Sequence, residues 1–217
     1  MKKNEVLSNA FMWLFIGLLV CFAVSYISTY SIEIINLLYG SFNGYGYWIF
    51  AIIEIIVALI FVACIRKLSP IAAKIMYLLY AALTGLSLTG IFIVYTSTSL
   101  TFVFLATAII FGIFAIIGKT TNIDLSKWYV YLFVGLLAII ILDIINIFLL
   151  NKTLNLFTCI IAIVIFCAYI AYDIQKALDP YFLADTNNKG IYIAFNLFLD
   201  FINIFIRLLS LFGRSRD

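Results

Sequence analysis

The segment that decides the fold of this chain is residues 191–212, IYIAFNLFLDFINIFIRLLSLF. Most of its side chains are apolar enough for lipid, but polar residues interrupt it at alternating spacings of four and three. At about 100° per residue these side chains fall within an arc of about 80° on one face of a helix. This polar stripe consists of Asn196, Asp200, Asn203, Arg207, Ser210 and Arg214. A charge at membrane depth is costly, so the stripe must face protein or water. It is either a buried structural seam or the lining of an ion or substrate path.

The composition is that of a membrane protein. The 217 residues are 66% hydrophobic and 11% charged, whereas soluble domains are about half apolar and a quarter charged. The net charge of +3 is scattered over short loops, which excludes a nucleic-acid-binding surface. Histidine is absent, which excludes Ser-His-Asp triads and the common histidine metal sites. The four cysteines lie far apart within apolar runs and are predicted to be core residues.

The sequence predicts an all-α membrane protein with a single transmembrane domain over residues 1–217. Seven stretches are long enough for a helix that crosses about 30 Å of hydrocarbon. These spans are residues 10–30, 47–65, 71–95, 100–118, 128–150, 154–173 and 191–213. Two of them carry small residues four apart, a pattern that favours close helix packing. Ala81, Gly85 and Thr89 form this pattern in the third span, and Ala108 with Gly112 in the fourth.

Basic residues favour a cytoplasmic N-terminus. With that orientation the inner side holds Lys2, Lys3, Arg66, Lys67, Lys74, Lys119, Lys127, Lys176 and Lys189. The outer side holds Lys152, Arg214 and Arg216. The two C-terminal arginines lie on the outer side, where the positive-inside rule expects few basic residues. A last helix that enters the membrane and returns to the same side would remove this conflict.

Four carboxylates lie within or at the ends of the predicted spans: Glu54, Asp143, Asp173 and Asp200. Asp200 points most strongly to function, because carboxylates in mid-span are rare and usually functional. Asp173 ends the sixth span on the side where the seventh begins. If the two meet, they cannot easily both ionise, so they would share a proton and sense pH. Their oxygens would also suit transient binding of Ca²⁺.

The remaining charges lead to weaker expectations. Arg66 ends the second span on the same side, where it can pair with Asp173. Glu54 is either pore-lining or an internal ion-pair partner. Asn196, Asn203 and Arg207 are further candidates for lining a pore, and Asp143 is given no role.

Two motifs resemble the Bax inhibitor-1 (TMBIM) family, whose bacterial members include the YetJ-type calcium-leak proteins. They are residues 171–175, AYDIQ, and residues 196–205, NLFLDFINIF, and the resemblance extends over essentially the whole chain. It implies a bundle whose seventh helix is central and a pH-sensitive Ca²⁺ leak. It also implies that Asp173 and Asp200 form the proton-sensing pair and that Arg66 is the latch. Some relatives have an acidic residue in place of Asn196, and the resemblance does not account for Asp143, Arg207, Arg214 or Arg216.

Two other functions stay open. A proton- or cation-coupled secondary transporter would use the same residues, although no inverted repeat or broken helix pair is visible. An intramembrane aspartyl protease would also need two membrane aspartates. Such proteases have a Gly-x-Gly-Asp pattern, whereas Leu197-Phe198-Leu199 precedes Asp200 here.

The prediction is therefore a pH-sensitive cation leak that is not an enzyme and needs no cofactor. Its expected partners are the lipid bilayer, calcium ions and protons, with no nucleic acid. Its expected location is a bacterial inner membrane with the N-terminus in the cytoplasm.

Overall fold

A computed structural model describes residues 3–40 and 46–216. It is 85% helical, and within those residues the extended structure is limited to one isolated bridge between Tyr95 and Ser215. The helices are α1 (Lys3–Ser28), α2 (Ile32–Ile35), α3 (Gly46–Cys64), α4 (Pro70–Ser87), α5 (Thr89–Val94), α6 (Ser97–Thr120), α7 (Tyr129–Leu149), α8 (Lys152–Leu178) and α9 (Lys189–Phe212). A π-helical turn, Asn36–Gly40, follows α2, and a 3₁₀ turn, Leu125–Trp128, precedes α7.

Seven helices in the described ranges are long and apolar enough to cross a membrane, which confirms the predicted fold class. They are α1, α3, α4, α6, α7, α8 and α9. The chain forms two compact units. Unit 1 comprises residues 1–96, 180–195 and 215–217, and unit 2 comprises residues 97–179 and 196–214. The single transmembrane domain stays a prediction.

In unit 1, α1 and α4 pack closely through small residues. A Cβ on Gly85 would lie 2.5 Å from the backbone oxygen of Cys21, so only glycine permits this approach. Ser25 Oγ donates a hydrogen bond of 2.7 Å to the backbone oxygen of Gly85, and Tyr77 Oη donates one of 2.9 Å to that of Trp13. The predicted packing role of Gly85 is therefore confirmed.

In unit 2, α6 and α8 are in contact through Gly118. A Cβ on Gly118 would lie 2.4 Å from the backbone oxygen of Ala171, whereas a Cβ on Gly112 would have no neighbour within 4 Å. The prediction for Gly112 was therefore wrong, because the close approach occurs about two turns further along α6. Gln175, one turn further along the same face of α8, exchanges side-chain hydrogen bonds of 2.8 Å with the backbone of Leu125 and Ile123.

Two predicted spans have different limits in the structure. The third is interrupted at Leu88, between α4 and α5. Thr89 Oγ1 bonds back to the backbone oxygen of Gly85, an arrangement that often bends helices. The sixth, predicted to end at residue 173, continues to Leu178, one residue before the Asp179–Pro180 step. A residue before proline is disfavoured in helical conformation, so the stop lies there.

The last helix is the most buried of the seven spans. Of its most apolar 18-residue window, 56% of residues are buried, against 6% to 39% in the other spans. At 24 residues and about 1.5 Å per residue it is about 36 Å long, enough for a full crossing.

Candidate functional site

Asp173 and Asp200 are the two buried carboxylates of unit 2. Each is only 4% exposed. Asp173 lies inside α8, five residues before its end, because the helix continues beyond the predicted boundary. The prediction that it closes the span was therefore wrong, and the ordinary state of a carboxylate at a helix end, full solvation, does not apply.

The hydrogen bonds of the two carboxylates differ. Asn196 Nδ2 donates to Asp173 Oδ1 over 3.3 Å. Oδ2 of Asp200 is buried, and no donor within the described residues reaches it. Asn196 lies one turn before Asp200 on α9 and bonds Asp173 on α8, so the two carboxylates lie on parts of the two helices that are joined by this amide.

The polar stripe of α9 follows α8 in antiparallel register. Asn196 contacts Asp173, Arg207 Nη1 lies 4.0 Å from Cys159 Sγ, and Asn155 Nδ2 donates to Ser210 Oγ over 3.2 Å. As the α9 numbers rise, the α8 numbers fall, so these contacts form one line. We call this line the α8–α9 seam: Asn155, Cys159, Asp173, Asn196, Asp200, Arg207 and Ser210.

Apart from the buried Asp200, the stripe is more accessible than the apolar face of α9. Asn196, Asn203 and Arg207 are half-buried, whereas the apolar Phe198 and Phe205 are fully buried. Asn203 Nδ2 bonds the backbone oxygen of Leu199 in its own helix. Polar side chains therefore line this face of α9.

Arg207 pairs with Asp143 of α7. Arg207 Nη1 donates to Asp143 Oδ1 over 3.1 Å, and Nη2 contacts Oδ2, so the pair is bidentate. The side chains are 18% and 33% exposed. Two of the four charges that the family resemblance left unexplained thus neutralise each other. One feature of the sequence could have indicated this pair: Asp143 and Arg207 each lie about six residues before the end of their helix, α7 or α9.

Glu54 belongs to unit 1 and is surrounded by hydroxyl groups. Its carboxylate accepts hydrogen bonds from Thr84 at 2.8 Å, Ser87 at 2.7 Å and Tyr80 at 3.3 Å. These three donors lie on one face of α4, three and four residues apart. The sequence predicts a cation as the internal partner of Glu54, whereas its partners in the structure are these hydroxyl groups. A pore-lining role for Glu54 stays a prediction.

Arg66 forms an ion pair with Asp185, also in unit 1. The Arg66 Nη1 to Asp185 Oδ2 distance is 2.8 Å, and both side chains are more than half exposed. Asn188 secures the same region by donating to the backbone oxygens of Ile65 and Leu68 at 2.8 and 2.7 Å. The sequence analysis did not predict Asp185 as a partner, and the latch between Arg66 and Asp173 stays a prediction for a closed state.

The described residues do not contain a cluster of three or more acidic, cysteine or histidine side chains that could hold a metal ion. Tight Ca²⁺ sites use about six to eight oxygen ligands. Asp173 and Asp200 supply four carboxylate oxygens, one of them already bonded to Asn196. Any Ca²⁺ bound there would need additional waters or backbone oxygens, so this donor set fits brief occupancy.

Comparison with known proteins decides the family. The family model described as Inhibitor of apoptosis-promoting Bax1 matches residues 3–217. The chain belongs to the Bax inhibitor-1 family. As a Bax inhibitor-1 family member it is an integral membrane protein, in agreement with its seven candidate spans.

Similar proteins of this family occur in distant bacteria. The inner membrane protein YbhL of Escherichia coli K12 is 33% identical over 217 residues, covering 97% of this chain and 92% of YbhL. A Borreliella burgdorferi protein is 33% identical over 220 residues, covering 99% and 94%. A Rickettsia prowazekii protein is 34% identical over 199 residues, covering 89% and 83%.

Proposed function

We propose that this Bax inhibitor-1 family protein is a pH-sensitive cation leak, with Ca²⁺ as the permeant ion and Asp173 and Asp200 as the proton-sensing pair. The supporting observation is the buried Oδ2 of Asp200, which lacks a donor within the described residues and lies one turn along α9 from Asn196, the amide that bonds Asp173.

The physical argument is one of charge compensation. An ionised carboxylate buried without hydrogen bonds is costly, and a second carboxylate nearby adds repulsion. A proton shared by the pair, or a cation bound between them, removes both penalties. The pair can therefore exchange protons for cations, which is what a pH-sensitive cation path requires.

The polar stripe supports a path along α9. Its half-buried side chains are amide and guanidinium groups, which are costly to place against hydrocarbon. A continuous line of such groups beside a buried carboxylate favours a water-filled space. The small number of carboxylates favours weak binding, and a conducting ion has to leave its site as easily as it enters.

Arg66 is proposed to regulate entry. Its pair with Asp185 is exposed, and exposed ion pairs are worth only about 0–1 kcal/mol, so Arg66 can change partners at little cost. We propose that Asp185 and Asp173 compete for Arg66, with the pair to Asp173 formed in the closed state. The protein is proposed to lie in an inner membrane with its N-terminus in the cytoplasm, as its basic residues favour.

The direct test is Ca²⁺ entry into liposomes that contain the purified protein and a trapped Ca²⁺ dye. A leak predicts entry that follows the Ca²⁺ gradient, requires no counter-ion and changes with external pH. Entry that saturates and depends on a counter-ion would favour the secondary transporter instead. Absence of Ca²⁺ entry above protein-free liposomes at every pH would reject the proposal.

A further inference from the structure

The ion pair between Arg207 and Asp143 lies on the polar stripe, away from the aspartate pair. Arg207 follows Asp200 by seven residues, which is about 10 Å along α9. Both charged residues belong to helices long enough to cross the membrane, and both side chains are partly exposed. The pair therefore sits at a different depth of the same stripe that borders Asp200.

Its neighbours place it within the α8–α9 seam. Arg207 Nη1 approaches Cys159 Sγ at 4.0 Å, and Cys159 is 1% exposed. One turn further, Asn155 bonds Ser210. The guanidinium thus bridges α7, α8 and α9 within unit 2, and it covers a buried thiol.

The chemistry of the two groups suggests that the Asp143 carboxylate pairs either with Arg207 or with a free cation. A guanidinium stays charged at any physiological pH, so an unpaired Arg207 would repel cations from this part of the stripe. A carboxylate in a bidentate pair has both oxygens engaged and offers little to another cation. When the pair separates, Asp143 becomes a hard oxygen ligand of the kind that Ca²⁺ prefers.

We propose that Asp143 is a second cation site, occupied by Arg207 as a tethered counter-ion until a divalent cation displaces it. The pair then acts as a charge gate in series with Asp173 and Asp200. This inference rests on the proposed leak and adds to it a specific site and a barrier that neither motif of the sequence indicates.

Charge variants test the gate through Ca²⁺ entry into liposomes. Arg207→Gln leaves Asp143 free and should raise the entry rate several-fold. Asp143→Asn leaves the guanidinium unpaired and should lower the rate about tenfold, equivalent to about 1.4 kcal/mol. The double variant, with neither charge, should lie between these extremes. Rates are normalised to folded protein, determined from thermal unfolding in detergent.

A purely structural pair predicts a different pattern. Both single variants would then lose folded protein, while the rate per folded molecule would remain that of the wild type. If the single variants do not fold, the charge exchange Asp143→Arg with Arg207→Asp keeps a pair and moves the cation to α7. Unchanged rates in all folded variants, or changes of the same sign in both single variants, would overturn the gate.

The buried thiol gives a readout that does not depend on flux. In a variant that retains only Cys159, with serine at residues 21, 64 and 167, a cationic methanethiosulfonate reagent should react slowly. Millimolar Ca²⁺ should accelerate the reaction several-fold by separating the pair. The added Arg207→Gln substitution should make it fast with or without Ca²⁺.

The two readouts separate failure of the gate from failure of the leak. Ca²⁺-dependent labelling without Ca²⁺ entry would reject the leak and retain the site at Asp143. Ca²⁺ entry with labelling unaffected by Ca²⁺ and by Arg207→Gln would retain the leak and reject the gate.

Discussion

Asn196 and Asp200 lie one turn apart on α9, and Asn196 bonds the second carboxylate of the site. Its side-chain amide donates to Asp173 Oδ1 over 3.3 Å. Asp200 Oδ2 is buried, and none of the donors in residues 3–40 and 46–216 reaches it. One carboxylate is thus held by an amide, and we propose that its neighbour is neutralised by a proton or a cation.

Asn196→Asp should convert the pair into a three-carboxylate cluster that binds Ca²⁺. A ligand at ten times its Kd stabilises the folded state by about 1.4 kcal/mol, which corresponds to about 3–6 °C in Tm for a chain of this size. We expect a shift of that order in millimolar Ca²⁺ and a smaller one in Mg²⁺, which requires stricter geometry. Equal Ca²⁺ shifts in the variant and the wild type would contradict this prediction.

Substitutions at Arg66 and Asp185 should change the flux in opposite directions. Arg66→Gln removes the proposed latch and should raise basal Ca²⁺ entry. Asp185→Asn removes the competing partner seen in the structure, so Arg66 becomes free for Asp173 and entry should fall. Both measurements use the liposome assay. Changes of the same sign would show that the Arg66–Asp185 pair is merely structural.

Gly118→Ala should destabilise the packing of α6 against the part of α8 that carries Asp173. The added Cβ would lie 2.4 Å from the backbone oxygen of Ala171, two residues before Asp173, so α8 would have to shift. Overpacking of this kind costs about 1–3 kcal/mol. Gly112→Ala is the matched control on the same helix, because its Cβ meets open space. Thermal unfolding should separate the two variants, and equal Tm values would refute the close contact.

The spans could be predicted from sequence because crossing a membrane requires long apolar helices. Their ends were less predictable. The sequence places Asp173 at a polar boundary, but α8 continues to Leu178 because Gln175 finds backbone partners before α7 and the helix stops only before Pro180. This extension changes Asp173 from a solvated end group into a buried one.

Side-chain partners were the least predictable part of the site. The stripe on α9 followed from helical periodicity, whereas the functional role of Asp200 stays a prediction. The pairing of Arg207 with Asp143 and the three hydroxyls on Glu54 depend on which helices pack together. Periodicity within one helix does not contain that information.

The central claim is that Asp173 and Asp200 titrate as one unit that sets the pH response. The most direct measurement is Ca²⁺ entry into liposomes as a function of external pH for Asp173→Asn and Asp200→Asn. Asp179→Asn, at the exposed end of α8, serves as the control. We predict that both site variants lose most of the wild-type dependence between about pH 6 and 8, while the control retains it. A wild-type pH profile in both site variants would contradict the account.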